Sequence, residues 1–162
     1  MKIVLISFGF VLALGTIESS PVLAQGQVSI ERGLQVAIVG GCHDCHTEGY
    51  SEAKGKIDPA KAMKGHSVGF RGPWGTTYAA NLRHITRLLK EGGFVIMMKH
   101  LQTDPPMPWY NVQAMDESDI RSLYQYIMSL GEPGEHVPQQ VPPDQEPKTP
   151  YIQFAPPQMP KG

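Results

Sequence analysis

Cys42-His43-Asp44-Cys45-His46 constrains this chain more than any other segment. Its order, C-x-x-C-H, is the attachment signature of a c-type haem. Two thiols are spaced to add across the two vinyl groups of one porphyrin, and the histidine that follows is placed under the iron as proximal ligand. The motif uses both cysteines of the sequence. A thioredoxin-like dithiol wants a β-α-β setting and no following histidine, and no such setting is legible here. A structural zinc site needs four closed ligands, and a second C-x-x-C or an H-x-x-x-H is missing. A disulfide between residues three apart closes a very small loop and stabilises little.

The ends of the chain agree with that motif. Residues 1–24 read as a secretory signal peptide, with Lys2 as the basic start, an apolar run over 3–14, and Val22-Leu23-Ala24 as the cleavage site before Gln25. The apolar run is shorter than the ~20 residues that span a bilayer. The alternative is an uncleaved membrane anchor. Covalent haem addition in bacteria takes place outside the cytoplasm, so leader and motif together point to the periplasm, with cleavage after about Ala24. Residues 25–132 suit one compact domain. A formal net charge of −1 gives no strong field for nucleic acid or an anionic membrane surface. The expectation is therefore no nucleic-acid partner, and membrane contact only through an uncleaved leader or a partner protein.

Periodicity predicts helices joined by long loops. Ser29 caps a helix to about Val39 with Ile30, Leu34 and Ile38 on one face, stopped by Gly40-Gly41. Residues 49–80 read mostly as loop, with a short helix around 58–64. Asn81 caps a second helix to about Glu91. Gly92-Gly93 breaks or kinks it, and Phe94 to Leu101 resumes it. The last helix is the clearest. Asp116 stands at its cap with Asp119 three positions on, Glu117 and Arg121 form an i,i+4 pair, and Ile120, Leu123, Tyr124, Ile127 and Leu130 form one stripe ended by Gly131. Such a helix is not stable alone. Its expected partner is the first helix, with Gly33 or Ala37 admitting the ring of Tyr124. Residues 133–162 hold nine of the fifteen prolines with almost no periodicity, which marks an extended proline-rich tail, the alternative being a disordered linker. Tyr151-Ile152-Gln153-Phe154 is apolar enough to lay that tail over the domain surface.

A haem with one histidine needs a sixth ligand or keeps an open iron, and a thioether ligand favours the reduced metal. Met107 is the candidate. Prolines on both sides fix its backbone, which pre-organises the sulfur. Met97, Met98 and Met128 fall in apolar helices and read as core filler; Met63, Met115 and Met159 are further rivals. His66, His84 and His100 offer bis-histidine ligation, although a lone histidine is more often solvated or hydrogen-bonded.

The order of these parts resembles a class I monohaem cytochrome c. More closely, Gly75-Thr76-Thr77-Tyr78-Ala79-Ala80-Asn81-Leu82 and Met107-Pro108-Trp109-Tyr110, followed by Asp116-Glu117-Ser118-Asp119-Ile120, are similar to bacterial periplasmic cytochromes related to dehydrogenase cytochrome subunits. The likeness runs over about residues 28–132. It departs where Arg83-His84-Ile85-Thr86-Arg87 stands in place of that family's longer, threonine-rich loop. The resemblance implies an all-α fold with one covalent haem c in an apolar crevice. It implies that Trp74, Tyr78, Asn81 and Trp109 line the crevice or bind the propionates, and that Arg71 neutralises one of them. The plainer alternative makes the tryptophans packing residues and Arg71 a surface charge.

The implied function is a periplasmic electron carrier, not an enzyme, with haem on Cys42 and Cys45 and iron held by His46 and Met107. Its partners would be redox proteins, a periplasmic dehydrogenase or oxidase and a respiratory acceptor. Two alternatives stay open. One is a haem enzyme or gas-binding protein with an open iron, served by His84 or His100. The other is a cytochrome subunit of a periplasmic oxidoreductase complex, docked by the proline-rich tail.

Overall fold

Ser29 accepts the amide of Arg32 at 3.1 Å and opens the first helix, α1 (Ile30–Val39), in a computed structural model that describes residues 26–157 and 159–160. The expected leader lies outside the described residues. The face α1 buries is Gly33, Val36 and Ala37. Ile30 and Ile38, expected inside, are 44% and 46% exposed. The reason is the contact with the last helix, α6 (Glu117–Ser129). A Cβ on Gly33 would lie 2.0 Å from the carbonyl oxygen of Ser122, so glycine is what lets the two backbones meet. Ser122 and Tyr126 occupy the place expected for Tyr124. The Tyr124 ring packs instead on Phe94, with centroids 5.5 Å apart.

Glu117 and Arg121 pair on α6 at 2.5 Å, as their spacing predicts. Asp116 makes no side-chain cap bond. The carboxylate of Asp119 faces α1 rather than its own helix start, and takes the Arg32 guanidinium at 2.7 and 2.8 Å.

Between these helices the chain forms α2 (Cys42–His46), α3 (Leu82–Leu88), α4 (Glu91–Lys99) and α5 (Trp109–Ala114). The side chain of Asn81 caps α3 by accepting from Arg83 N at 3.1 Å. The break between α3 and α4 falls at Leu89 and Lys90, both extended, and Gly92-Gly93 sits inside the first turn of α4. Residues 58–64 form hydrogen-bonded turns instead of a helix. Phe94, Ile120, Leu123 and Ile127 are fully buried in the core that α1, α4 and α6 share, and Cys42, Met107 and Met115 border it.

The all-α expectation is corrected by a three-stranded mixed sheet. Strands β1 (Gly69–Gly72) and β2 (Gly75–Tyr78) form an antiparallel hairpin, and β3 (Tyr151–Gln153) adds to β1 in parallel, in the order β2-β1-β3. Phe70 faces Thr77 on one side and Ile152 on the other. The tail supplies a further pairing on β2, where Thr76 and Val141 exchange backbone bonds at 2.8 and 2.9 Å. Gly75 permits this approach: its φ is +101°, and a Cβ there would lie 2.3 Å from the carbonyl oxygen of Val141. The proline-rich segment is therefore part of the sheet.

Candidate functional site

Gly41, at φ +68°, turns the chain from α1 into α2. Helix α2 is a little over one turn long, and Cys42 and Cys45 stand three apart on one of its faces. Both are free thiols. Burial raises both from the ordinary cysteine value, Cys42 to about 11, so each is protonated at neutral pH. This is not the lowered thiol of a dithiol redox motif. Among the described residues, no group of three or more His, Cys, Asp or Glu side chains gathers as a metal site.

His46 is buried, and burial lowers its pKa against the opposing effect of the Ala80 carbonyl, so the imidazole is neutral. Its Nδ1 lies 2.7 Å from the Ala80 carbonyl oxygen. A carbonyl only accepts, so Nδ1 carries the proton and Nε2 carries the lone pair. Nε2 has no hydrogen-bond partner among the described residues. A second tether binds the same residue, because Gly65 N donates to the His46 carbonyl at 2.8 Å. This is the form a metal-ligating histidine takes: neutral, with its other ring nitrogen held by an acceptor.

Met107 lies in the non-helical segment before α5, partly buried against the core that Cys42 also touches. That segment is held to β2 where the Thr77 hydroxyl donates to Pro105 O at 2.8 Å. Trp109 begins α5 and lines an open cavity of about 520 Å³ with Gln102, Thr103, Asp104 and Gln140. Trp74, at the β1–β2 turn, packs on Phe154; its Nε1 is one of two buried side-chain nitrogens that lack a partner among the described residues.

The remaining candidates turn toward the tail. Arg71 donates to Gln145 O at 2.8 Å, pairs with Glu146 at 3.0 Å and lies over the Tyr151 ring. The Tyr78 hydroxyl lies 2.8 Å from that of Thr149. Asn81 donates to Pro133 O and Glu135 O at 2.9 and 3.0 Å. The structure thus gathers Cys42, Cys45 and His46 on α2, and Arg71, Trp74, Tyr78 and Asn81 along the tail-facing hairpin and its exit.

Two residues carry more than their sequence positions suggest. His43, a variable position within the motif, is fully buried. Arg83 is 3% exposed and donates only to main-chain carbonyls: Ala62 at 2.7 Å, Pro59 at 2.5 Å, Leu130 at 2.6 Å and Glu132 at 3.2 Å. It caps the end of α6, where the carbonyls of a helix lack internal partners. No local sequence signal marks either role, because Tyr126 and the carbonyls that Arg83 binds are distant in the chain. Comparison with family models, with curated proteins and with solved structures gives no match to this chain.

The residues present fit a covalent haem. Two free thiols share one helical turn with a neutral imidazole whose outer nitrogen is unengaged. Among the described residues no helix is long and apolar enough to cross a membrane.

Proposed function

We propose that this chain is a c-type electron carrier of the periplasm, with haem c held by Cys42 and Cys45 and iron bound by His46 and Met107. The observation that carries the reading is the state of His46: Nδ1 tied to Ala80 O, Nε2 free, beside two free thiols on one turn. Bound haem supplies one-electron redox chemistry. The chain's own groups do the rest. The Ala80 carbonyl fixes the tautomer and ring of His46, which raises the basicity of Nε2. The proline-flanked backbone of Met107 holds its thioether with little entropy left to lose. A saturated iron has no room for substrate, so the reading is transfer of electrons rather than bond chemistry.

The direction of that transfer, from a periplasmic dehydrogenase toward a respiratory acceptor, is a finer proposal resting on resemblance. Trp74 Nε1 is the best-supported donor to a propionate, since it stands buried without a partner. Arg71, Tyr78 and Asn81 reach that role only by sharing their groups with the tail.

Absorption spectra of the exported protein in both oxidation states test the reading. Sharp reduced bands, a haem that resists acid extraction and a weak sulfur–iron charge-transfer band are expected. Met107→Ala should abolish that band and open the ferrous protein to carbon monoxide. Rapid carbon monoxide binding by the unmutated protein would replace the carrier with a reactive haem.

A further inference from the structure

His43 occupies a position within the haem-attachment motif that the motif itself leaves unspecified, and it is fully buried. A buried imidazole is costly unless its nitrogens are bonded. Here both are. Nδ1 lies 2.8 Å from the Thr47 hydroxyl, and Nε2 lies 3.1 Å from the Tyr126 hydroxyl. The ring stacks on Tyr50 with centroids 5.1 Å apart and meets the Tyr126 ring edge-on at 5.9 Å. The Thr47 hydroxyl also accepts Met63 N at 2.9 Å. One hydrogen-bonded path therefore runs from α6 through His43 to Thr47, the residue after His46, and on to Met63.

A helix as short as α2 does not hold its own orientation. The tethers of His46, its carbonyl to Gly65 N and its ring Nδ1 to Ala80 O, lie toward the C-terminal end of the helix. His43 is on the first turn and reaches a different element, α6, through Tyr126. Its contacts complement those tethers and oppose rotation of the turn.

We propose that His43 is a positioning residue that, clamped by Tyr126, fixes the rotation of the cysteine-bearing turn and so works with the Ala80 tether in setting the ring plane of His46. This rests on the haem-carrier reading above. The consequence is electronic as well as structural, because the plane and basicity of the imidazole set the ligand field at the iron.

The test compares the full haem-bearing protein with Tyr126→Phe, His43→Gln, His43→Ala and the H43A/Y126F double variant. Tyr126→Phe keeps the ring and removes only the hydroxyl, so it folds even where His43→Ala does not. Three quantities are read: the low-spin electron paramagnetic resonance signal of the oxidised protein, the reduction potential and the melting temperature. We expect Tyr126→Phe and His43→Ala to move signal and potential in the same direction. His43→Gln should restore part of the shift. The double variant should move no further than the larger single one, since the Tyr126 hydroxyl reaches the turn through His43. Unchanged signal and potential in Tyr126→Phe and His43→Gln, with a lowered melting temperature, would reduce His43 to packing and overturn the assignment while the carrier stands. An unmutated protein without covalent haem would overturn the carrier and this assignment with it.

Discussion

Arg71 donates to the carbonyl of Gln145 at 2.8 Å, although the two residues lie on opposite sides of nearly half the chain. The bond fastens the proline-rich tail to β1, and Glu146 closes on the same guanidinium at 3.0 Å. Replacing Arg71 by alanine should cost about 1–2 kcal/mol, most of it from the carbonyl bond, since the carboxylate partner is largely solvated. Arg71→Lys should recover little of this, because an ammonium lacks the planar fork. Thermal melts of both variants check the figure. A melt unchanged in both would mean that the tail is not fastened there.

Removing residues 141–162 should be more severe. The truncation strips β3 from β1 and leaves Thr76 without its two backbone partners at Val141. Each buried backbone group left unbonded costs about 1–3 kcal/mol. We expect a clearly lower melting temperature and faster amide exchange at 69–78. If the tail served only to dock a partner protein, exchange across the hairpin would stay as it was.

Gly33→Ala tests the contact between α1 and α6. The added methyl would meet Ser122 main chain at 2.0 and 2.5 Å, where no side chain can move aside. Overpacking of this kind costs about 1–3 kcal/mol or more. Denaturant titration should show it, while alanine at Gly92, where nothing lies within 4 Å, should be neutral or stabilising.

Arg83→Met should destabilise by about 3 kcal/mol or more, since it strands carbonyls at Pro59, Ala62, Leu130 and Glu132 in a buried place. Lysine should not substitute, having one nitrogen where the guanidinium uses three. A stable Arg83→Lys protein with an intact α6 end would contradict this account.

Tyr151 gives the tail an alkaline limit. Its hydroxyl donates to Glu146 at 2.8 Å, and that bond raises its pKa above the ordinary tyrosine value of 10.0. A folded value above the unfolded one means the contribution is present in full below pH 10 and is lost as pH rises through the folded value. Ultraviolet titration should show Tyr151 ionising later in the intact protein than in Glu146→Gln. The same midpoint in both would remove the carboxylate as the cause.

The sequence exposes the parts of this molecule that local chemistry decides. The motif at 42–46, the cap at Ser29, the stripe from Ile120 to Ile127 and the non-helical backbone around Met107 are each legible over a few residues. The β1–β2 hairpin is not legible: residues 49–80 read mostly as loop, because glycines at 69, 72 and 75 hide the short alternation of Phe70 and Thr76-Thr77-Tyr78. Nor is strand β3, because a three-residue strand exists only where β1 receives it. The buried face of α1 was misassigned for a related reason: Ile30, Leu34 and Ile38 make the more apolar stripe, yet close approach to α6 selects the face that carries Gly33. At the candidate site, the motif places two thiols and an imidazole on one short turn, whereas the contacts of His43 and Arg83 depend on Tyr126 and on carbonyls scattered through the chain.

Strand β1 meets β2 within a few residues but meets β3 only after the helical part of the domain has been made. One edge of β1 is left bare by every segment that precedes residue 151, and β3 alone covers it. The sheet is thus complete only when the tail is docked, which makes β3 the latch of the hairpin.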